Sequence, residues 1–134
     1  MQSFGGIYST VTDQFRFMRG LTRGAIFANS ATFQLMQRWN RFGIPIDKAA
    51  LRQPGWPIEY GFGLMRFRLP RMFTRFRPLP AVIGHSGSTG TWLFYCVEWD
   101  LLFAGTVDEA SAGAVPYRVM PKILEIFRSV RSPP

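Results

Sequence analysis

The run Gly84-His85-Ser86-Gly87-Ser88-Thr89-Gly90-Thr91 leads directly into Trp92-Leu93-Phe94-Tyr95, and a short connection later comes Leu101-Leu102-Phe103-Ala104-Gly105-Thr106-Val107. The second and third pieces are rich in aromatic and apolar residues. The polar Glu98 and Asp100 lie between them, which predicts a β-hairpin. The first piece is too small and polar to bury much apolar area, yet apolar runs flank it. Its backbone is therefore expected to lie against another strand or a ligand. Cys96, inside the hairpin, reads as a strand residue, because no His or Lys lies near it in sequence to favour the thiolate.

Working outward, Ala81 to Gly84 begins the strand that delivers His85, and Ile58 to Leu69 reads as an earlier strand. Gly61 and Gly63 flank Phe62 there, which predicts a bulge or a close backbone approach. Pro70, Pro78 and Pro80 bracket an arginine-rich connection with a short helical turn over 72–76. Pro45, Pro54, Gly55 and Pro57 break regular structure over 43–57. Near the N-terminus, Thr10 with Asp13 three places later has the form of a helix cap. A helix follows to about Arg19 with Val11, Phe15 and Met18 on one face, ending near Gly20. After Gly24, Asn29 or Ser30 can cap a second helix carrying Phe33, Met36 and Trp39 or Asn40. The last element repeats Val119, Ile123, Ile126 and Val130 at helical spacing, widened by Met120, Leu124 and Phe127, with Pro121 expected in its first turn. Residues 108–116 form a polar loop before it, in which Asp108 and Glu109 read as a solvated turn. There is no internal repeat and no low-complexity segment. The expected fold is α+β: an antiparallel sheet of three to four strands packed with a C-terminal helix and two N-terminal helices, in one domain over 1–134.

A chain of 134 residues buries roughly two-thirds of the surface that it exposes when unfolded. With 47% hydrophobic and 16% aromatic residues, a disordered chain is excluded. No apolar run approaches the ~20 residues of a membrane span, and the N-terminus lacks the order of a signal peptide. One cysteine gives no internal disulfide framework, and one histidine, His85, gives no histidine-based metal cluster, so neither a metal nor a cofactor is implied. The net charge of +8 is uneven. Residues 1–80 hold 12 Lys+Arg against 3 Asp+Glu, and residues 81–134 hold 4 against 5. Arg52, Arg66, Arg68, Arg71, Arg75 and Arg77 alternate with Phe62, Phe67, Phe73 and Phe76, a pattern that can serve phosphate contact and base stacking. A basic binding or assembly module, facing nucleic acid or an acidic protein, is thus the alternative reading. No nucleic-acid-binding motif accompanies the charge, so a solvated face is preferred.

The His85-Ser86-Gly87 box resembles the third motif, Lys-Thr-Gly or His-Ser/Thr-Gly, of the serine β-lactamase and penicillin-binding-protein-like hydrolases. That family includes class C β-lactamases, D-alanyl-D-alanine carboxypeptidases and related esterases. Gly5-Gly6-Ile7-Tyr8-Ser9-Thr10 with Asp13 and Phe17 is similar to the Gly-Gly-x-x-Ser-Thr-x-x-Asp segment that precedes this box, and Tyr60-Gly61-Phe62-Gly63 resembles its Tyr-Gly-Leu-Gly strand. The resemblance runs from about Gly5 to the C-terminal helix and implies the C-terminal part of a longer serine hydrolase, with a partial β-lactamase-like fold. It implies that His85 faces the substrate, binding a carboxylate or steering a proton. Ser86 and Gly87 would let the substrate backbone lie against the strand, and the Ser88 amide would serve the oxyanion hole.

The departures matter as much. The family's nucleophile sits in Ser-x-x-Lys, where the lysine one turn on can take the serine's proton. The only lysines here, Lys48 and Lys122, follow Pro45 and Val119 at that spacing, and no Tyr-x-Asn or Ser-x-Asn occurs. Ser86 or Ser88 acting as a nucleophile with His85 is disfavoured, because adjacent strand residues point to opposite faces and no acidic orienter is near in sequence. The expectation is a chain without a nucleophile of its own, inactive alone, whose unpaired strand edge leads to homo-oligomers or to a complementing chain.

Overall fold

The computed structural model describes residues 7–42, 58–68, 74, 77–87, 90–107, 109 and 113–131. Helices α1 (Val11–Thr22) and α2 (Ala31–Met36) come first. Strands β1 (Asn40–Phe42), β2 (Ile58–Tyr60), β3 (Met65–Phe67), β4 (Val82–Ser86), β5 (Trp92–Cys96) and β6 (Leu101–Gly105) follow, and helix α3 (Val115–Arg131) ends the order. The strands form one six-stranded antiparallel meander in sequence order. The class is α+β, as the sequence predicts, with more strands than the three or four expected.

The extra strands have local causes. Ile58 to Leu69 is not one bulged strand but two, β2 and β3, joined by a tight turn in which the Gly61 amide donates to the Leu64 carbonyl at 2.9 Å. Gly63 holds φ at +70°, the left-handed conformation that such a turn needs and that a side chain disfavours. The second helix stops at Met36, so Asn40 opens β1 rather than continuing a helical face. Ser30 holds the cap position of that helix without a side-chain bond, and the Asn29 side-chain oxygen, one residue earlier, accepts from the Ala31 amide at 2.9 Å.

β4 to β6 show the expected hairpin, with Trp92 opposite Gly105 and Cys96 opposite Leu101. Successive residues of these strands serve two different cores. Val82, Phe94, Cys96 and Phe103 join Met65, Phe67 and, from α3, Tyr117, Met120 and Leu124. Ile83 joins Met18 and Leu21 of α1 and Leu64, with Leu93, Tyr95 and Leu102 packed beside them. The period-two alternation of a strand thus feeds helices on both faces, so α1 and α2 lie across the sheet from α3 rather than beside it. Full burial of a side chain such as Phe94 contributes about 1.5–3 kcal/mol.

The helices differ in detail from their predicted limits. The Thr10 cap forms: its hydroxyl oxygen accepts from the Asp13 amide at 3.1 Å, and α1 runs past Gly20 to Thr22. Its buried side chains are Met18 and Leu21, whereas Val11 is exposed. α3 starts at Val115, which places Pro116, not Pro121, in the first turn and leaves Pro121 buried inside the helix. The apolar stripe of α3 is rotated from the one expected. Tyr117, Met120 and Leu124 face the sheet, while Val119, Ile123, Ile126 and Val130 are exposed. Two apolar stripes compete on this helix, and the one carrying the long, flat side chains fills the space over Phe67 and Phe94. The expected helical turn over 72–76 and the loop over 43–57 fall outside the described residues, Thr74 apart.

Candidate functional site

β4 presents its last residues at a groove of about 490 Å³. One wall comes from α1 and the segment leading into it, with Ile7, Ser9, Asp13, Gln14 and Phe17. The other comes from the sheet, with His85, Ser86, Gly87, Thr91, Trp92 and Leu93. The wall starts where the Thr10 cap fixes the first turn of α1. Asp13 accepts from the Thr10 hydroxyl at 2.9 Å and pairs with Arg16 at 3.3 Å. The Thr10 hydroxyl oxygen caps the Asp13 amide, and the Asp13 carboxylate stands at the positive end of this helix.

Strand geometry sends His85 and Ser86 to opposite faces. His85 is exposed and sits opposite Leu93, on the side of α1. Its Nδ1 lies 2.8 Å from the Ser86 carbonyl oxygen. A carbonyl can only accept, so Nδ1 carries the proton and Nε2 is the acceptor whenever the imidazole is neutral. Tyr60, from β2, meets the imidazole edge-on with ring centroids 6.3 Å apart, and burial pushes the Tyr60 phenol up.

The Ser86 hydroxyl turns to the α3 side, where it shares a hydrogen bond of 2.9 Å with the Tyr117 hydroxyl. Tyr117 is held edge-on by Phe67 and Phe94, with centroids at 5.2 and 5.9 Å, and its hydroxyl also reaches the Met65 sulfur at 3.6 Å. Burial raises the Tyr117 phenol against the opposing effect of the Ser86 bond. The sequence does not reveal Tyr117 as a partner of the box, because the two are joined only by packing across the sheet.

The backbone of the box is equally constrained. Gly84 has φ +156°, and a Cβ there would fall 2.7 Å from the Phe94 Cα and inside contact with the Leu93 carbonyl. After it the chain turns back on itself, the Gly87 amide donating to the Thr91 carbonyl at 2.6 Å and the Gly90 amide to the Gly87 carbonyl at 3.2 Å. Ser88, the residue expected to offer an oxyanion amide, lies outside the described residues, as do Gly5, Gly6 and Asp108.

Of the arginines that suggested a basic module, Arg66 is engaged at home. Its Nε meets the Glu59 carboxylate at 2.6 Å across β2 and β3, and its guanidinium lies 4.8 Å from the centre of the Trp39 ring. Arg68 and Arg77 are exposed, and Arg52, Arg71 and Arg75 lie outside the described residues. Among the described residues, no three His, Cys, Asp or Glu side chains group as metal ligands, and no helix is long and apolar enough to cross a membrane. No protein-family model, curated protein or solved structure matches the chain.

Proposed function

We propose that the chain carries one wall of an acyl-transfer cleft of the serine β-lactamase kind, the C-terminal part of such a unit, and that the attacking group stands on another segment or chain. One observation supports this most. Three segments that are far apart in sequence and that resemble the family separately meet around one imidazole: Ser9, Asp13 and Phe17 across the groove, Tyr60 edge-on, and His85 to Gly87 on β4. In this role His85 Nε2 takes a proton from an attacking hydroxyl and returns it to the leaving group. Gly87 and Thr91 give the acyl chain a wall of small residues, and the amide of Ser88 is the candidate oxyanion donor. Such a donor lowers a barrier by about 3–4 kcal/mol only while a nucleophile attacks, so the isolated chain is inactive.

The test is NMR titration of the full chain with a stable acyl anilide, alongside a chromogenic ester assay. Shifts at His85 and Gly87 without turnover are expected. Turnover abolished by His85→Ala, or no shift at the groove, overturns the proposal. Self-association belongs to the same proposal, since β1 and β6 are the outer strands of the described sheet. A monomer at micromolar concentration in sedimentation velocity would count against it.

A further inference from the structure

We infer that the groove takes an uncharged acyl compound bearing an aromatic or branched alkyl group, and discriminates against one bearing a carboxylate. This rests on the acyl-transfer reading above and narrows its substrate class. The groove surface is overwhelmingly apolar, with Ile7 and Phe17 exposed on one wall and Trp92 and Leu93 on the other. Among the described residues that line it there is no Lys or Arg, and the one acidic side chain is Asp13.

Two devices that would draw an anion are already used within the chain. At the amino terminus of α1 the Thr10 hydroxyl accepts from the Asp13 amide and the Asp13 carboxylate sits in the first turn, and the Arg16 guanidinium on the same helix is paired with that carboxylate. A ligand carboxylate placed here would give up water without gaining an unpaired Lys or Arg among the described lining residues. An aryl or branched alkyl group gains instead, since the exposed Phe17 on the α1 wall and the half-buried Leu93 on the sheet wall offer apolar surface that is partly solvated in the free protein.

The experiment compares N-phenylbutyramide with its para-carboxylate on the full chain, following the His85, Phe17 and Trp92 resonances. The neutral compound is expected to bind at least about tenfold more tightly, the scale for leaving one exposed-site charge uncompensated. In Gln14→Lys, which adds a cation to the α1 wall, the carboxylate is expected to gain on the neutral compound by several-fold or more. Equal or tighter binding of the carboxylate to the wild type overturns this inference and leaves the acyl-transfer reading standing. Binding of neither compound at His85 overturns both. Resonances of Met120 and Leu124, buried on the α3 side of the sheet and absent from the groove lining, report whether each variant is folded.

Discussion

The contact between the Ser86 and Tyr117 hydroxyls makes an asymmetric prediction. Tyr117 is 8% exposed, and its ring is wedged between Phe67 and Phe94, so Tyr117→Phe keeps the packing and removes only the hydroxyl. The Ser86 hydroxyl left behind is half-buried and can turn to water, so the loss is that of one ordinary hydrogen bond, about 1 kcal/mol. Ser86→Ala does the reverse. It leaves the phenol buried with only the weak Met65 sulfur contact at 3.6 Å, so desolvation is no longer offset and the cost rises to about 2 kcal/mol. In the double variant the stranded phenol is gone, so it should be less destabilised than the two singles summed, with a coupling of about 1 kcal/mol. Urea unfolding at pH 7 reads this directly. At a slope of about 2 kcal/mol/M, the midpoint falls by about 0.5 M for Tyr117→Phe and about 1 M for Ser86→Ala. Tyr117→Phe costing more than Ser86→Ala, or strictly additive losses, would refute the geometry on which the prediction rests.

Other perturbations test the fold. Gly84→Ala drives a methyl into the Leu93 carbonyl and the Phe94 Cα, both main chain, and should destabilise by about 3 kcal/mol or more or leave no soluble protein. A variant of wild-type melting temperature would contradict the strand approach. Met120→Ala should cost about 2–5 kcal/mol, whereas Ile126→Ala, at a side chain 65% exposed, should stay within about 0.5 kcal/mol. The opposite order by calorimetry would mean that α3 is rotated. Burial pushes the Cys96 thiol and the Tyr117 phenol up, so each contributes stability that is fully present below its unfolded value. Because the ordinary thiol value is 9.0, urea midpoints should fall from that pH upward, and Cys96 should resist a disulfide reagent until denaturant is added. A midpoint unchanged between about pH 8 and 10.5, or rapid labelling of the native protein, would contradict this burial.

What could be read from the sequence was decided by range. The hairpin from Trp92 to Gly105 was legible because its aromatic runs and polar connection are contiguous, and the α1 cap because Thr10 and Asp13 sit within one turn. The β2–β3 hairpin was misread as a single strand because two glycines around a phenylalanine serve a bulge and a tight turn equally well. The split between two cores was invisible, since β4 and β5 carry apolar residues on both faces and nothing local says which helix covers which. The same indeterminacy misplaced the α3 stripe, where Val119, Ile123, Ile126 and Val130 have helical spacing as regular as that of the face that packs. Around the site, His85, Ser86 and Gly87 were found as a contiguous box, and Ser9, Asp13 and Phe17 as a separate one. That Trp92 and Leu93 share a groove with them needed the sheet.

Alternation along β4 also limits how such a cleft could work. His85 serves the groove, Ser86 locks the strand end to α3 through Tyr117, and Gly84 lets β5 approach closely enough to keep both in register. Among the described residues that line the groove, the hydroxyls have partners elsewhere: Ser86 to Tyr117, Ser9 to the Thr10 carbonyl at 3.3 Å, and Thr91 to Thr106 at 3.3 Å. None of these bonds has His85 Nε2 as its acceptor, and activation of a serine or threonine requires a base within hydrogen-bond reach. A nucleophile that uses this imidazole must then enter from the α1 face of the sheet, the side on which β4 presents His85. A partner that supplied it from the α3 face would meet Tyr117 and the core behind it, so under the acyl-transfer proposal a complementing segment arrives on the α1 side.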